Sequence, residues 1–168
     1  KHREVFLRRL QELDQGKAFR IYSIKRMEDG SLFYLKIKRE ENIPKLYYQS
    51  HLYAEEKLII DPEVMSIGAS QHYSLEFYKP SPNGRFVVYG LAQGGSEQTI
   101  IHVYDMKNNN HTGDVIDRIE TAYNIPQWWK EEGFFYCRRQ KLDKNTPVTE
   151  IYKNTLTLYH KLGEPVEN

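Results

Sequence analysis

A nucleophilic serine of the α/β-hydrolase kind needs a Gly-x-Ser-x-Gly elbow, because glycines permit the sharp strand-to-helix turn that lifts the hydroxyl clear. The nearest approach in this sequence is Gly94-Gly95-Ser96-Glu97-Gln98. Gln98 stands where the last glycine belongs and the flanking residues read strand to strand, so Ser96 is expected to be a turn residue. The six histidines, His2, His51, His72, His102, His111 and His160, show no HExxH spacing, and the single Cys137 has no CxxC partner. No metal and no cofactor are therefore expected, and Cys137 reads as a small buried hydrophobe. Neither a GxGxxG opening a helix nor a phosphate-binding GxxxxGK[ST] loop is present, so nucleotide binding lacks support. Asp143-Lys144-Asn145 falls in a polar insertion without calcium-loop spacing and reads as a solvated loop. Asn110-His111-Thr112 fits a glycosylation acceptor, but its run from Asn108 to Gly113 is better read as a hairpin turn. Trp128-Trp129 and the 13 tyrosines could stack on sugars or peptides. Filling the space between sheets is their expected use.

The elements that would position these residues are mostly strands. From His2 to Gln15, Val5, Phe6, Leu10 and Leu13 are spaced for one helical stripe, and Gly16 stands where a helix end favours a left-handed residue. After Gly16 the period changes to two: Lys17 to Lys25, Ser31 to Arg39, Lys45 to Gln49 and Glu56 to Ile60 read as four short strands separated by turn residues. The pattern then recurs. Asp29-Gly30-Ser31-Leu32-Phe33-Tyr34 is echoed by Asn83-Gly84-Arg85-Phe86-Val87-Val88-Tyr89 and by Glu132-Gly133-Phe134-Phe135-Tyr136, each a turn glycine followed by an apolar strand ending in tyrosine. Those tyrosines are 89 − 34 = 55 and 136 − 89 = 47 residues apart.

A degenerate repeat of roughly 40–50 residues with four antiparallel strands is the mark of propeller blades, whose sheets must cover one another's faces. A β-sandwich also carries many short strands, but its strands owe each other no such likeness. The fold expected is all-β: a partial β-propeller of about three four-stranded blades, the last incomplete, preceded by one short helix. Residues 1–16 form that helix and 17–168 the propeller fragment, with blades near 17–62, 72–119 and 122–168. Such a piece cannot close, so its isolated form should pair with another copy or be marginally stable.

Composition narrows the partners. The chain has 168 residues, with 24 Lys plus Arg against 23 Asp plus Glu, a net charge of +1. That balance offers no nucleic-acid surface. No apolar run approaches a membrane span, and Lys1-His2-Arg3 does not open a signal peptide, so neither nucleic acid nor membrane is an expected partner. A soluble chain, cytoplasmic rather than secreted, fits its single cysteine.

At Tyr89-Gly90-Leu91-Ala92-Gln93-Gly94-Gly95-Ser96-Glu97, with Val103-Tyr104-Asp105 and Asp117-Arg118-Ile119 following, the sequence resembles the prolyl oligopeptidase family of serine peptidases. Glu41-Asn42-Ile43-Pro44-Lys45-Leu46-Tyr47, Leu58 to Glu63, Ser81-Pro82-Asn83-Gly84-Arg85, Glu132 to Tyr136 and Tyr159-His160-Lys161-Leu162-Gly163 carry the same resemblance from about Arg20 to the end. It implies a seven-bladed propeller over an α/β-hydrolase domain, with short proline-containing peptides as substrates, cleaved after proline. The Ser, Asp and His of that family's triad match no position here, so the resemblance implies a lid that filters substrates by size and is itself inactive. The implied partners are the hydrolase domain and the remaining blades. A related oligopeptidase specific for basic residues, or a non-catalytic interaction scaffold, are the alternatives. Three residues are implied as structural or cavity-lining: Glu97 and Arg118, as an ion pair between adjacent strands, and Thr121, where an aromatic substrate contact is expected instead. Gln98, where a tryptophan is usual, is a second departure.

Overall fold

The structure, a computed structural model, describes residues 2–15, 18–65, 72–94, 96, 98–121 and 124–166. The chain divides into two compact units, Lys1–Asp61 and Pro62–Asn168.

The first unit begins with helix α1 (His2–Gln15), whose first turn carries Glu4 against the positive end of the helix dipole. Its stripe residues Val5, Phe6 and Leu10 are exposed. Gly16 lies outside the described residues. Strands β1 (Phe19–Arg26), β2 (Leu32–Lys38), β3 (Lys45–Gln49) and β4 (Lys57–Ile60) then form one antiparallel sheet in chain order. The β1–β2 turn is set by Gly30 at φ +86° and by the Asp29 carboxylate, which accepts the Ser31 N–H at 2.9 Å. Strand β2 departs from simple alternation: Phe33, Tyr34 and Leu35 are all buried, so both of its faces are covered. The little-exposed Lys36 side chain is held between partners: Glu56 Oε2 accepts from its Nζ at 2.5 Å, and the Phe19 ring centroid lies 4.4 Å from the same atom.

The second unit opens with a single helical turn, α2 (Pro62–Met65), followed by β5 (Tyr73–Pro80), β6 (Phe86–Gln93), β7 (Thr99–Asp105) and β8 (Asn110–Ile119), again paired in chain order. Next come β9 (Gln127–Trp129), β10 (Gly133–Arg138) and β11 (Leu156–Lys161), with β9 and β11 pairing to β10. The fold is thus mostly strand, a partial propeller whose modules run up and down between nearest neighbours, not the exchange between two layers that a sandwich requires. The core of this unit joins the two groups of strands: Phe77, Val88, Ile101, Val103 and Ile116 from β5–β8 pack with Phe134 and Tyr136 from β10. Trp128 reaches back to donate its indole N–H to the Lys79 carbonyl at 2.9 Å, so its ring is both packing and hydrogen-bonded.

Two expectations change here. The insertion from Gln140 to Asn154 is not wholly loop: a 3-10 turn occupies Val148–Tyr152, entered through Pro147 at φ −56°. Cys137 is half-buried, not buried, with its Sγ 3.5 Å from Thr157 Oγ1. As expected of a turn residue, Ser96 lies between β6 and β7, its N–H donating to the Gln93 carbonyl at 2.8 Å.

Candidate functional site

Strand β8 does not end cleanly. Thr99 pairs with Ile119 and Ile101 with Ile116, so Asp117 and Arg118 form a bulge opposite Ile100. Arg118 takes φ +59° there, a left-handed backbone that a β-carbon disfavours. The bulge lies where β8 passes from pairing with β7 to pairing with β10 in the same sheet: Ile119 pairs with Arg138, the Arg139 N–H donates to the Arg118 carbonyl at 2.9 Å, and the Glu120 N–H to that of Cys137 at 3.2 Å. The strained residue is thus held at a corner by hydrogen bonds on both sides.

This corner forms one wall of a cavity of about 440 Å³ lined by Arg118, Arg138, Arg139, Gln140, Lys141, Asn154, Leu156 and Leu158. The three arginines are held by hydrogen bonds. Arg118 Nε donates to Asp117 Oδ2 at 3.1 Å and its Nη1 to the Arg139 carbonyl at 3.4 Å. Arg138 pairs with the other Asp117 oxygen, and Arg139 Nε donates to Glu120 Oε2 at 2.7 Å, both side chains buried. Burial pushes the Asp117 carboxyl upward, but hydrogen bonds from Arg138 and Arg118 outweigh it and hold the group below the usual carboxylate range. The Tyr152 ring lies 4.8 Å from the Arg139 guanidinium, and the Gln140 amide donates to the Glu150 carbonyl, so the 3-10 turn is fastened to the cavity rim.

Of the residues expected from the sequence, Arg118 lines this cavity. Glu97 lies outside the described residues. Thr121 is half-buried beside Thr99, their hydroxyl oxygens 3.4 Å apart. Arg138, Arg139 and Lys141 were not anticipated, although the basic run Arg138-Arg139-Gln140-Lys141 at the end of an apolar strand was the signal for them. Among the described residues, no group of three or more His, Cys, Asp or Glu side chains is placed to hold a metal, and no helix is long and apolar enough to cross a membrane.

Residues 10–168 match the family model described as prolyl oligopeptidase, N-terminal β-propeller domain. The chain belongs to the prolyl oligopeptidase family. Prolyl endopeptidases of Elizabethkingia meningoseptica and Elizabethkingia miricola are each 25% identical to it over 124 residues, 70% of this chain and 17% of theirs. A structure from a mechanistic analysis of two prolyl endopeptidases superposes with a TM-score of 0.75 at 24% identity, covering 88% of this chain and 21% of that one. Prolyl oligopeptidase B from Galerina marginata, bound to a 35mer hydrolysis and macrocyclization substrate, gives a TM-score of 0.72 at 17% identity over 92% of this chain and 24% of its own. Oligopeptidase B from Leishmania major gives 0.67 at 12% identity, over 97% of this chain and 23% of its own. At these identities the superpositions speak for the fold. The chain spans about a fifth of the length of the relatives it matches.

Proposed function

We propose that this chain is the opening part of the propeller lid of a serine peptidase that hydrolyses short peptides after proline. The observation that carries the reading is the match of residues 10–168 to the N-terminal propeller of the prolyl oligopeptidase family, together with prolyl endopeptidases among its relatives. In that assignment the chemistry belongs to a hydrolase domain beyond these residues. A serine attacks the peptide carbonyl, a histidine takes its proton, and backbone donors steady the developing oxyanion.

The contribution of this chain is exclusion. A ring of blades over the active site admits a flexible peptide and turns away a folded protein, while the water that hydrolyses the acyl intermediate still enters. The chain alone is inactive in this account, since Ser96 sits in a strand-to-strand turn. The experiment is to read the protein beyond Asn168 for a GxSxG elbow followed in order by aspartate and histidine, then assay the whole protein on paired chromogenic peptides carrying proline or arginine at the cleavage site. Preferred hydrolysis after proline supports the reading. Preference for arginine moves the parent to the basic-specific oligopeptidases, and a protein with blades but no elbow makes it a scaffold.

A further inference from the structure

We propose that Lys79 is an acylation site, reactive without an enzyme toward small acyl thioesters. A lysine withdrawn from solvent normally keeps a carboxylate beside it: Lys36 has Glu56 at 2.5 Å, and Lys45 has Asp61 at 2.9 Å and Glu41 at 3.3 Å. Lys79, half-buried on β5, departs from that pattern. Its Nζ donates to a neutral acceptor, Gln127 Oε1 at the start of β9, and it forms no ion pair among the described residues.

The acceptor is itself held. Gln127 Nε2 donates to the Ile125 carbonyl at 2.9 Å, which leaves the amide oxygen for Lys79. The Lys79 backbone is anchored as well, pairing with Val88 across β5 and β6 and accepting the Trp128 indole N–H at its carbonyl. A carboxylate partner would stabilise the ammonium form, whereas an amide oxygen also accepts from a neutral amine and leaves that amine's lone pair free for attack. Burial pushes the Lys79 amine down from 10.5 in the same direction. Gln127 and the contact it makes are exposed, which leaves the nitrogen open to an acyl donor. In the reaction, the neutral Nζ attacks the thioester carbonyl carbon and a C–N bond forms as the C–S bond breaks. The leaving thiolate takes the proton that the amine releases, giving an amide and a free thiol. That amide keeps one N–H for Gln127 Oε1, so the tie between β5 and β9 survives the modification.

The test incubates the full-length protein with acetyl-coenzyme A near neutral pH and follows each lysine by peptide mass spectrometry. Lys79 is expected to be acetylated at least about threefold faster than Lys153 and Lys161, exposed lysines paired with Glu150 and Glu164. Gln127→Glu, an exchange of nearly equal size at an exposed position, sets a carboxylate beside Nζ and should bring the Lys79 rate down to that of the two controls. Where that variant disturbs folding, the pH dependence in the unsubstituted protein carries the test: the Lys79 rate should level off at a lower pH than the rates at Lys153 and Lys161. A Lys79 rate no higher than those of the controls, a rate that Gln127→Glu leaves unchanged, or levelling at the same pH as the controls overturns the proposal. No peptide turnover is read, so this outcome and that of the peptidase assay stand apart.

Discussion

His160 Nε2 and Asp114 Oδ1 lie 2.6 Å apart with both side chains almost fully buried, and the same carboxylate oxygen accepts the Gly163 N–H at 2.8 Å. The contact buckles the end of β11 onto β8 across 46 residues of sequence. A carboxylate this deep stands only because its lone pairs are used.

Removing either side of that buckle is expected to be costly. Asp114→Ala or His160→Phe should lower unfolding stability by about 3 kcal/mol, since each leaves a buried polar partner unsatisfied. The exposed pair Lys161–Glu164, at 2.8 Å, is the control: Glu164→Gln should leave the denaturant midpoint unchanged. Urea unfolding of the three variants measures the contrast.

Acid should act through the same groups. Burial raises the Asp114 carboxyl, but hydrogen bonds from His160, Thr112 and the Gly163 N–H outweigh it, and Asp105 and Asp117 are likewise held below their ordinary value. A carboxyl depressed in the folded state adds stability that is present above its unfolded pKa of about 3.9 and is lost as pH falls through the lower folded value. Burial, with the neighbouring His111 charge for His102, pushes His102 and His111 down from 6.5, so these two begin to cost stability as soon as pH falls below that value. Thermal midpoints should therefore decline gently below pH 6.5 and steeply below about pH 4. A midpoint flat from pH 7 to 3 contradicts this.

Two glycines are fixed by space and not by dihedral angle. A Cβ on Gly133 would lie 2.1 Å from the His160 carbonyl oxygen, and one on Gly90 would lie 2.2 Å from Phe77 Cε1. Gly133→Ala and Gly90→Ala should each destabilise the chain by about 2–3 kcal/mol through overpacking. Gly113→Ala meets no atom within 4 Å and should be close to neutral. Melting curves of the three decide it.

Those glycines mark how far the sequence could be read. Alternating patterns located the strands of the first module to within a residue or two, because each is bounded by turn chemistry. The glycine-to-tyrosine repeat also located β2, β6 and β10, yet it treated three glycines as one device. Gly30 and Gly84 have positive φ, whereas Gly133 opens β10 under the His160 backbone. That distinction depends on a strand arriving 27 residues later, which local pattern cannot see. The bulge at Asp117–Arg118 escaped for a similar reason: its left-handed arginine is imposed by pairing with both β7 and β10, against the residue's own preference. The cavity combined a strand end, an insertion and β11, and only Arg118 of its lining was legible, through resemblance.

One sheet face is left open. Trp129, Phe135 and Tyr159 form a run of rings with centroids 6.2 and 5.2 Å apart, each at least two-fifths exposed. An aromatic face of this kind drives association when nothing covers it. The 168-residue chain alone should sediment as dimers or larger species, and Phe135→Ser with Tyr159→Ser should shift it to monomer while the circular dichroism stays that of strands. Monomeric behaviour of the parent chain at micromolar concentration contradicts this.

The most direct test of the account compares turnover by two purified proteins: the full-length product containing this chain, and the 168-residue chain alone. On a proline-containing chromogenic peptide, the full-length protein is expected to show hydrolysis that a serine-directed inhibitor abolishes, and the chain alone none. Inhibitor-sensitive hydrolysis by the chain alone, or none by the full-length protein, contradicts the account.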